Sequence, residues 1–313
     1  RSPSFPEKEV EIARQEALAR YQERLSDPQA LAWTEVSKAT SAWPKTDPRY
    51  PMSPAEAIDA YKRVTIADVR AFHRDFFGAS HGQIAVIGDF DAAALTSKLE
   101  SALGGWQAKK PFKRLEDKLF GVTGGTKAVE VKDKEMAALV FHSNAAIKDD
   151  SPDYAPWLVL GQVLGGDLGS RIWMRLREKE GLSYGAAAWT SADPLDEVGG
   201  AHGYAIVAPQ NADKAIGSIV DEYRRAAGGA VTAEELTRAK EAWARSLDTD
   251  LSNDEVVARK LVEGLYLKRT LAWNKDLRSK VMAVTAEDIA RVAKKYMSPD
   301  KLVIVKAGDF TKK

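Results

Sequence analysis

An internal repeat constrains this sequence more than any other feature. Residues 64–91 align without a gap on residues 284–311, at a constant offset of 220 residues. Self-similarity of this kind indicates a repeated structural unit. Two unrelated helix-then-strand segments with similar caps could also look alike, because Thr-x-x-Asp is a common helix start. We favour duplication, since one window holds seven identities: Val64/Val284, Thr65/Thr285, Asp68/Asp288, Ile84/Ile304, Gly88/Gly308, Asp89/Asp309 and Phe90/Phe310.

The repeat predicts how the chain is divided. Residues 14–20 also match residues 239–245, at an offset of 225, which places five extra residues in the Pro-rich stretch 43–54 of the first copy. The second copy begins near Lys127, and the matching part of the first copy would lie upstream of Arg1. We therefore expect three parts: the C-terminal part of a truncated first domain (1–91), a linker (92–125) and a complete second domain (126–313).

The composition supports folded domains and excludes several classes of partner. The chain has 313 residues, of which 44% are apolar, and this is enough for two domains with their own cores. Its 46 basic and 45 acidic residues are interspersed, so we expect no nucleic-acid partner and no anionic-membrane partner. No apolar stretch reaches the length of about 20 residues that a membrane span requires.

The cysteine count and the first residues bear on the compartment. The chain has no Cys, which excludes disulfides, thiolate zinc sites and Cys nucleophiles. This absence fits a reducing and an oxidising compartment equally well, so the compartment stays open and a periplasmic location is compatible with it. Residues 1–5 contain no initiating Met and no apolar signal region, so we expect the first residue to be a cut within a longer chain.

The apolar patterns of the second copy predict a helix-covered sheet of the α+β class. The first copy should end in the same way, with a helix and a strand within residues 64–91. Helices are expected from Ser151-Pro152, from Ser170 to Gly181, around residues 216–223, from Thr232, and over 254–268, 273–282 and 285–297; strands are expected over 127–131, 137–142, 184–190, 201–207 and 302–306.

The four histidines do not have the spacing of a metal site. No two of them are three or four residues apart, so neither HExxH nor HxxEH is present. We interpret His73 and His81 as surface residues, and His142 and His202 as hydrogen-bonded histidines within strands. No GxSxG motif supports a serine triad.

A glycine-rich run at residues 164–170 could suggest a phosphate loop. It follows a helix instead of a strand, and it has no Lys before Ser170, although the nucleotide-binding fingerprints need these features. We interpret it as a tight turn between two helices, in which glycine permits positive φ and close approach.

The segment that follows places two hydrogen-bond donors close together. Arg177 lies in the last turn of a predicted helix, where a cation is favourable, and Tyr184 begins a strand with Ala186 and Ala188 on its own face. The simplest interpretation is a capping Arg and a half-buried core Tyr. A helix, a stop at Gly181 and a strand nevertheless bring a guanidinium and a phenol to neighbouring element ends. Together they could donate hydrogen bonds to a carbonyl that gains negative charge.

These residues carry a family resemblance. LGGDLGSRIWMRLREKEGLSYG, residues 164–185, resembles the signature of the non-zinc half of the insulinase, pitrilysin and mitochondrial processing peptidase family of zinc metallopeptidases. FHRDFFGASHGQIAVIGDFD, residues 72–91, resembles the closing helix and strand of the same family. The resemblance covers nearly the whole chain. It implies tandem α/β domains, each with helices packed on a mostly antiparallel sheet, of which the first is truncated here.

The resemblance also implies a function. In this family one half carries HxxEH and binds zinc, while the other half faces it across a closed chamber and supplies an Arg and a Tyr, which match Arg177 and Tyr184. The resemblance implies that this chain binds no zinc or other cofactor itself, that zinc belongs to a partner half, and that the substrate is a peptide or an unfolded polypeptide. The helix carboxylates Glu9 and Glu16 stand near the positions of zinc ligands, but we expect them to be ordinary surface residues.

Three functional hypotheses follow. The chain is the inactive, non-metal half of a zinc metalloendopeptidase that supplies Arg177 and Tyr184 to a zinc-bearing half, on the same chain or on a partner subunit. Alternatively, it is a non-catalytic assembly subunit of the same family, although a structural subunit has no need of both residues. The third hypothesis is a homodimeric protease with its own zinc motif upstream of Arg1.

Overall fold

One five-stranded sheet forms the centre of the structure, a computed structural model that describes residues 1–311. The strands are β1 (Gly125–Glu130), β2 (Ala137–Ala145), β3 (Ser183–Ala192), β4 (Gly199–Val207) and β5 (Val303–Gly308). They are arranged in the order β1-β5-β2-β4-β3. β1 runs parallel to β5, and the other neighbouring pairs are antiparallel. The sheet is therefore mixed, and β1 and β3 form its edges.

Twelve α-helices lie around the sheet in residues 1–311, and none of those described is long and apolar enough to cross a membrane. A π-helix, Met174–Lys179, continues α7. The α-helices are α1 (Glu7–Arg24), α2 (Pro28–Thr40), α3 (Pro54–Arg63), α4 (Ile66–Phe76), α5 (Ala92–Leu103), α6 (Tyr154–Gly165), α7 (Arg171–Trp173), α8 (Ala212–Ala227), α9 (Ala233–Leu251), α10 (Asp254–Leu267), α11 (Leu271–Ala283) and α12 (Ala286–Tyr296).

The larger core lies between one face of the sheet and the helices α6, α8, α9 and α12. Helix α6 is apolar on nearly all sides and is buried along most of its length. Its Trp157 is fully buried, and the indole Nε1 donates to the carbonyl of Ser191 on β3 at 3.0 Å. Gly165 at the end of α6 lies so close to β3 that a Cβ there would be 2.0 Å from the backbone nitrogen of Ala188. Glycine at this position therefore permits α6 to pack directly on β3.

Helix α2 covers part of the opposite face of the sheet. The Asp27 side chain accepts a hydrogen bond from the backbone N–H of Gln29 and caps the helix. The buried side chains of Ala32 and Val36 form a second, smaller core with apolar residues of β2 and β5. Helix α2 lies within residues 1–91, yet it packs on a sheet whose strands all lie between residues 125 and 308.

The predicted class, helices packed on a sheet, agrees with this architecture, and all five strands expected in residues 126–313 are present. The helix expected from Ser151-Pro152 instead begins at Tyr154, with Asp153 as its N-cap residue. The backbone N–H of Tyr154 donates to the carbonyl of Ser151 at 3.0 Å, so Ser151 and Pro152 form a turn before the helix. Helix α5 occupies the first part of the predicted linker.

The strand expected at the end of the first copy is not formed. Residues 82–87 have no regular secondary structure, and Ile84, Val86 and Ile87 are 48%, 44% and 37% exposed. A strand requires a neighbour for its backbone hydrogen bonds, and no strand within residues 1–311 pairs with this segment. The apolar sequence that predicted a strand is therefore present without the sheet that would bury it.

Candidate functional site

The site begins at the helix that carries Arg177. Ser170 precedes α7 as its N-cap residue, but its hydroxyl donates to the carbonyl of Asp167 at 2.5 Å instead of capping the helix. After Trp173 the helix widens into the π-helix, which includes Arg177. Gly181, with φ of +60°, ends the helical segment and turns the chain into β3, as the sequence predicted. Short π-helical segments are often found at functional sites.

Tyr184 lies in a β-bulge at the start of β3. Ser183 pairs with Val207 and Gly185 pairs with Ile206, so Tyr184 is an extra residue without a partner on β4. The Ser183 hydroxyl stabilises the bulge, since it is 2.8 Å from the carbonyl oxygen of Gly185 and 2.9 Å from that of Ile206. A bulge of this kind redirects a side chain out of the regular alternation.

The bulge overturns one expectation from the sequence. Regular alternation would have placed Tyr184 on the same face as Ala186 and Ala188, which are buried against the helices. Tyr184 is instead 75% exposed. The interpretation of Tyr184 as a half-buried core residue is therefore wrong, because the extra residue shifts its side chain out of the buried face.

Arg177 and Tyr184 contact each other directly. A guanidinium nitrogen of Arg177, Nη1, donates to the backbone carbonyl of Tyr184. The guanidinium carbon also lies 5.5 Å from the centre of the Tyr184 ring and 5.2 Å from the centre of the Trp173 ring. These distances are typical of cation–π contacts. The guanidinium is thus held between two aromatic side chains and the first residues of β3.

The arrangement presents two hydrogen-bond donors at the surface. The Arg177 side chain is 39% exposed, and within residues 1–311 the Tyr184 hydroxyl has no hydrogen-bond partner. A phenol and a guanidinium can both donate to an oxygen that gains negative charge. The sequence analysis missed Trp173, although its spacing of four residues from Arg177 on a helix would have indicated the contact.

The sheet histidines lie in a hydrogen-bonded chain across three strands. His142 on β2 and His202 on β4 are joined through their Nδ1 atoms at 2.7 Å. His142 Nε2 is 2.6 Å from Asn144 Oδ1, and His202 Nε2 is 2.6 Å from the Ser191 hydroxyl. Trp189 stacks on the His202 ring at a centroid distance of 5.6 Å. Both histidines are hydrogen-bonded within strands, as the sequence predicted.

The hydrogen bonds of the Asn144 amide determine which atom donates in each bond of this histidine network. The Asn144 amide nitrogen donates to the carbonyls of Thr40 and Phe120, each at 3.0 Å, so its oxygen must accept from His142 Nε2. A neutral His142 then accepts at Nδ1 from His202, whose Nε2 accepts from Ser191. Burial lowers the pKa of His142, and burial together with the neighbouring His142 lowers that of His202 to about 3.

The remaining histidines and the candidate zinc ligands lie elsewhere. His73 and His81 stack on Phe77 and Phe112 at centroid distances of 5.0 and 5.1 Å, and His81 is exposed. Glu9 and Glu16 are exposed residues of α1. Within residues 1–311, no three His, Asp or Glu side chains form a group that could hold a metal ion, so the side chains described do not fit the catalytic zinc of the family.

The comparisons with known proteins agree with this picture. The family model of the peptidase M16 inactive domain matches residues 63–242. The chain is 22% identical over 298 residues to the non-peptidase homolog YmxG of Helicobacter pylori. This alignment covers 92% of the chain and 65% of YmxG. The chain is also 22% identical over 247 residues to an uncharacterized zinc protease of Streptomyces coelicolor, covering 76% of this chain and 52% of that protein.

A solved structure confirms the fold. The crystal structure of a peptidase M16 inactive domain from Pseudomonas fluorescens superimposes with a TM-score of 0.82 at 22% identity, over 98% of this chain and 72% of that one. The chain thus spans 65% of the length of YmxG and 52% of the length of the Streptomyces coelicolor relative. Nearly all of the chain has the fold of the solved Pseudomonas fluorescens domain. Because the family model matches more than half of its residues, the chain belongs to the peptidase M16 inactive-domain family, as its resemblance to the insulinase and processing-peptidase family predicted.

Proposed function

We propose that this chain is the non-metal half of a zinc metalloendopeptidase, that it is inactive alone, and that it supplies Arg177 and Tyr184 to the active site of a zinc-bearing half. The observation that supports this proposal is the exposed Tyr184 on its bulge, with the Arg177 guanidinium held against it. A tyrosine kept 75% exposed beside a fixed cation has no role in the core of this domain.

The geometry suggests a distinct task for each residue. The Tyr184 phenol would donate to the carbonyl oxygen of the scissile peptide as negative charge develops on it. The Arg177 guanidinium would attract that charge, and it would fix the start of β3 through its bond to the Tyr184 carbonyl. Zinc on the partner half would supply the nucleophile, and none of the residues described here needs to bind it.

We also propose that the chain consists of a truncated first repeat, residues 1–91, a linker, residues 92–125, and a complete second repeat, residues 126–313. The helices support this division, because α1 to α4 have 18, 13, 10 and 11 residues and α9 to α12 have 19, 14, 13 and 11. Helices α4 and α12 also begin with the same capping box, Thr65 with Asp68 and Thr285 with Asp288. The exposed segment 84–87 would be a strand of the first sheet.

The partner in this proposal is a zinc-bearing half, on the same chain or on a second subunit. The substrate is a peptide or an unfolded polypeptide small enough to be enclosed between the halves. Both assignments depend on the family, whose zinc halves and non-metal halves face each other.

The test is the variant Tyr184→Phe in the complete enzyme, that is, this half together with its zinc-bearing partner. Loss of one oxyanion donor should lower kcat by about 10² to 10³, with unchanged zinc content. Tyr266→Phe is the matched control, since Tyr266 is an exposed tyrosine on α10 and 43% accessible. Turnover of a quenched peptide by Tyr184→Phe at the wild-type rate would disprove the catalytic assignment.

A non-catalytic assembly subunit is the second candidate. The name of the Helicobacter pylori relative, a non-peptidase homolog, favours it. In that case the complete protein would cleave no peptide with or without Tyr184, while Arg177→Ala would weaken association with the partner subunit. The third candidate, a homodimeric protease, differs from the other two because each complete subunit would bind its own zinc.

A further inference from the structure

One face of the sheet is only partly covered by helices. Helix α2 packs on β2 and β5, and beside it the outward side chains of β3 and β4 remain partly exposed. Ala187 and Ile206 are half-buried on this face, and Trp189 is 39% exposed. A single exposed apolar residue needs no explanation, so the surroundings of Trp189 decide what its exposure means.

Two other rings hold Trp189 in place. The ring of His202 lies nearly parallel to it, with an angle of 13° between the planes and 5.6 Å between the centroids. Trp33 on α2 is half-buried, and its ring centroid lies 5.9 Å from that of Trp189. We call Trp33 and Trp189 the aromatic pair. An aromatic surface that is already fixed by packing loses little conformational entropy when a ligand binds to it.

The aromatic pair lies on the same face of the sheet as Tyr184. Gly185 pairs with Ile206 and Trp189 pairs with His202, so the alternation after the bulge places Trp189 on the face opposite the buried helices. The bulge turns the exposed Tyr184 side chain to this face as well. At about 3.3 Å per residue, the five residues from Tyr184 to Trp189 span about 16 Å. The exposed face is therefore continuous with the candidate functional site.

Strand β3 is also an edge of the sheet within residues 1–311. In this part of the chain, the backbone N–H and C=O groups of residues 186–190 form hydrogen bonds only with β4. An edge strand has backbone groups that point away from its neighbour, and an extended peptide can pair with them. A peptide that lies along this edge would reach Tyr184 with one part and the aromatic pair with another.

We propose that the aromatic pair is a subsite for an aromatic side chain of the peptide substrate, about five residues from the scissile bond. This inference rests on the proposed function, in which the Tyr184 phenol contacts the scissile carbonyl. An extended peptide has the same rise per residue as β3, so the span of about 16 Å corresponds to about five of its residues. A Phe or Tyr ring of the substrate would stack on the exposed part of Trp189 and leave water.

The first experiment measures the binding of two labelled peptides to the chain alone, by fluorescence anisotropy. Both peptides are uncharged and rich in Thr, and they differ only in one central residue, which is Phe or Ala. We expect the Phe peptide to bind at least about tenfold more tightly, because its ring adds apolar and stacking contacts.

Three variants test whether the aromatic pair causes this difference. Trp189→Ala should bind the two peptides equally, whereas Trp189→Phe should retain most of the difference because it keeps an aromatic ring. Phe112→Ala is the matched control, since Phe112 is 54% exposed and also stacks on a histidine, His81. This control should leave the difference unchanged.

The second experiment uses the complete enzyme, this half with its zinc-bearing partner, and quenched peptides in which a single Phe is moved along the sequence. Phe about five residues from the scissile bond should lower KM by about tenfold and change kcat little, because the contact is made equally in the ground state and the transition state. Trp189→Ala should abolish this preference.

The two experiments separate this inference from the proposed function. If no peptide is cleaved but the chain prefers the Phe peptide, the proposed function fails and the peptide subsite remains. The inference is overturned if the chain binds both peptides equally or binds neither, if Trp189→Ala keeps the preference, or if the position of Phe does not affect KM. It is also overturned if Trp189→Ala weakens association with the zinc-bearing half and leaves the peptide preference unchanged, because that half would then cover the aromatic pair.

Discussion

Acidification should destabilise this fold through His202. In the folded chain the pKa of His202 is lowered from 6.5 to about 3, first because the ring is buried and second because His142 lies against it. Only the neutral ring fits the hydrogen-bonded chain from Ser191 to Asn144. Protonation is therefore easy in the unfolded chain and difficult in the folded one.

The sign and size of the effect follow from this difference. A group with a lowered pKa in the folded state contributes its full stability above its unfolded pKa and loses that contribution as the pH falls below it. Each pH unit below the unfolded value costs about 1.4 kcal/mol. Between about pH 7 and pH 5, His202 should therefore reduce the free energy of unfolding by about 2 kcal/mol. His142 shifts in the same direction and adds to the loss.

Asp196 and Glu235 do not titrate within this pH window. Ion pairs and hydrogen bonds lower the pKa of Asp196 and of Glu235 to about 2, so both lose their protons well below the window. Urea unfolding at the two pH values measures the free energy directly. The comparison is with His202→Gln, which cannot titrate, and with His81→Gln as an exposed control. Our explanation is refuted if His202→Gln loses as much stability on acidification as the wild type.

Three further predictions concern the fold and the metal. Gly165→Ala should destabilise the chain by about 1 to 3 kcal/mol, because a methyl group would collide with the backbone of Ala188. Thermal unfolding measures this loss of stability, and an unchanged melting temperature would contradict the close packing of α6 on β3. Val36→Ala should cost about 2 kcal/mol in urea unfolding, whereas Val64→Ala at an exposed position should cost little, and equal losses would argue against the role of α2. The purified chain should contain no stoichiometric zinc in elemental analysis. If the wild-type chain holds one zinc ion and the Glu16→Gln variant holds none, the prediction that this chain binds no zinc is wrong.

Local patterns in the sequence sufficed for much of this structure. The capping boxes of Thr232 and Thr285 begin helices where they were expected, and Gly181 turns the chain between the π-helix and β3. These signals act over a few residues and need no distant partner. The pairing of Arg177 with Tyr184 belongs to this group, since a short helix, a turn and a strand bring the two together.

The features that could not be predicted depend on distant partners. The bulge at Tyr184 is defined by its pairing with β4, so its own sequence predicts ordinary alternation. Asn144 bonds to His142 because the two are i and i+2 on one strand, a spacing that is visible in the sequence. The bonds of Asn144 to Thr40 and Phe120 involve remote segments and could not be predicted. Residues 84–87 show the opposite case, in which a strand-forming sequence finds no neighbouring strand within residues 1–311.

The position of α2 has a consequence for any attempt to divide the chain. Its buried residues Ala32 and Val36 complete the core beneath β2 and β5. Both strands lie more than about a hundred residues after α2 in the sequence. Cleavage in residues 104–124 should yield two pieces that stay together without a covalent bond, and separate expression should yield two pieces that each expose an apolar face. Fragment complementation should therefore restore a fold that neither piece reaches alone. Chimeras that exchange residues 1–91 between relatives must match the apolar stripe of α2 to the sheet that receives it.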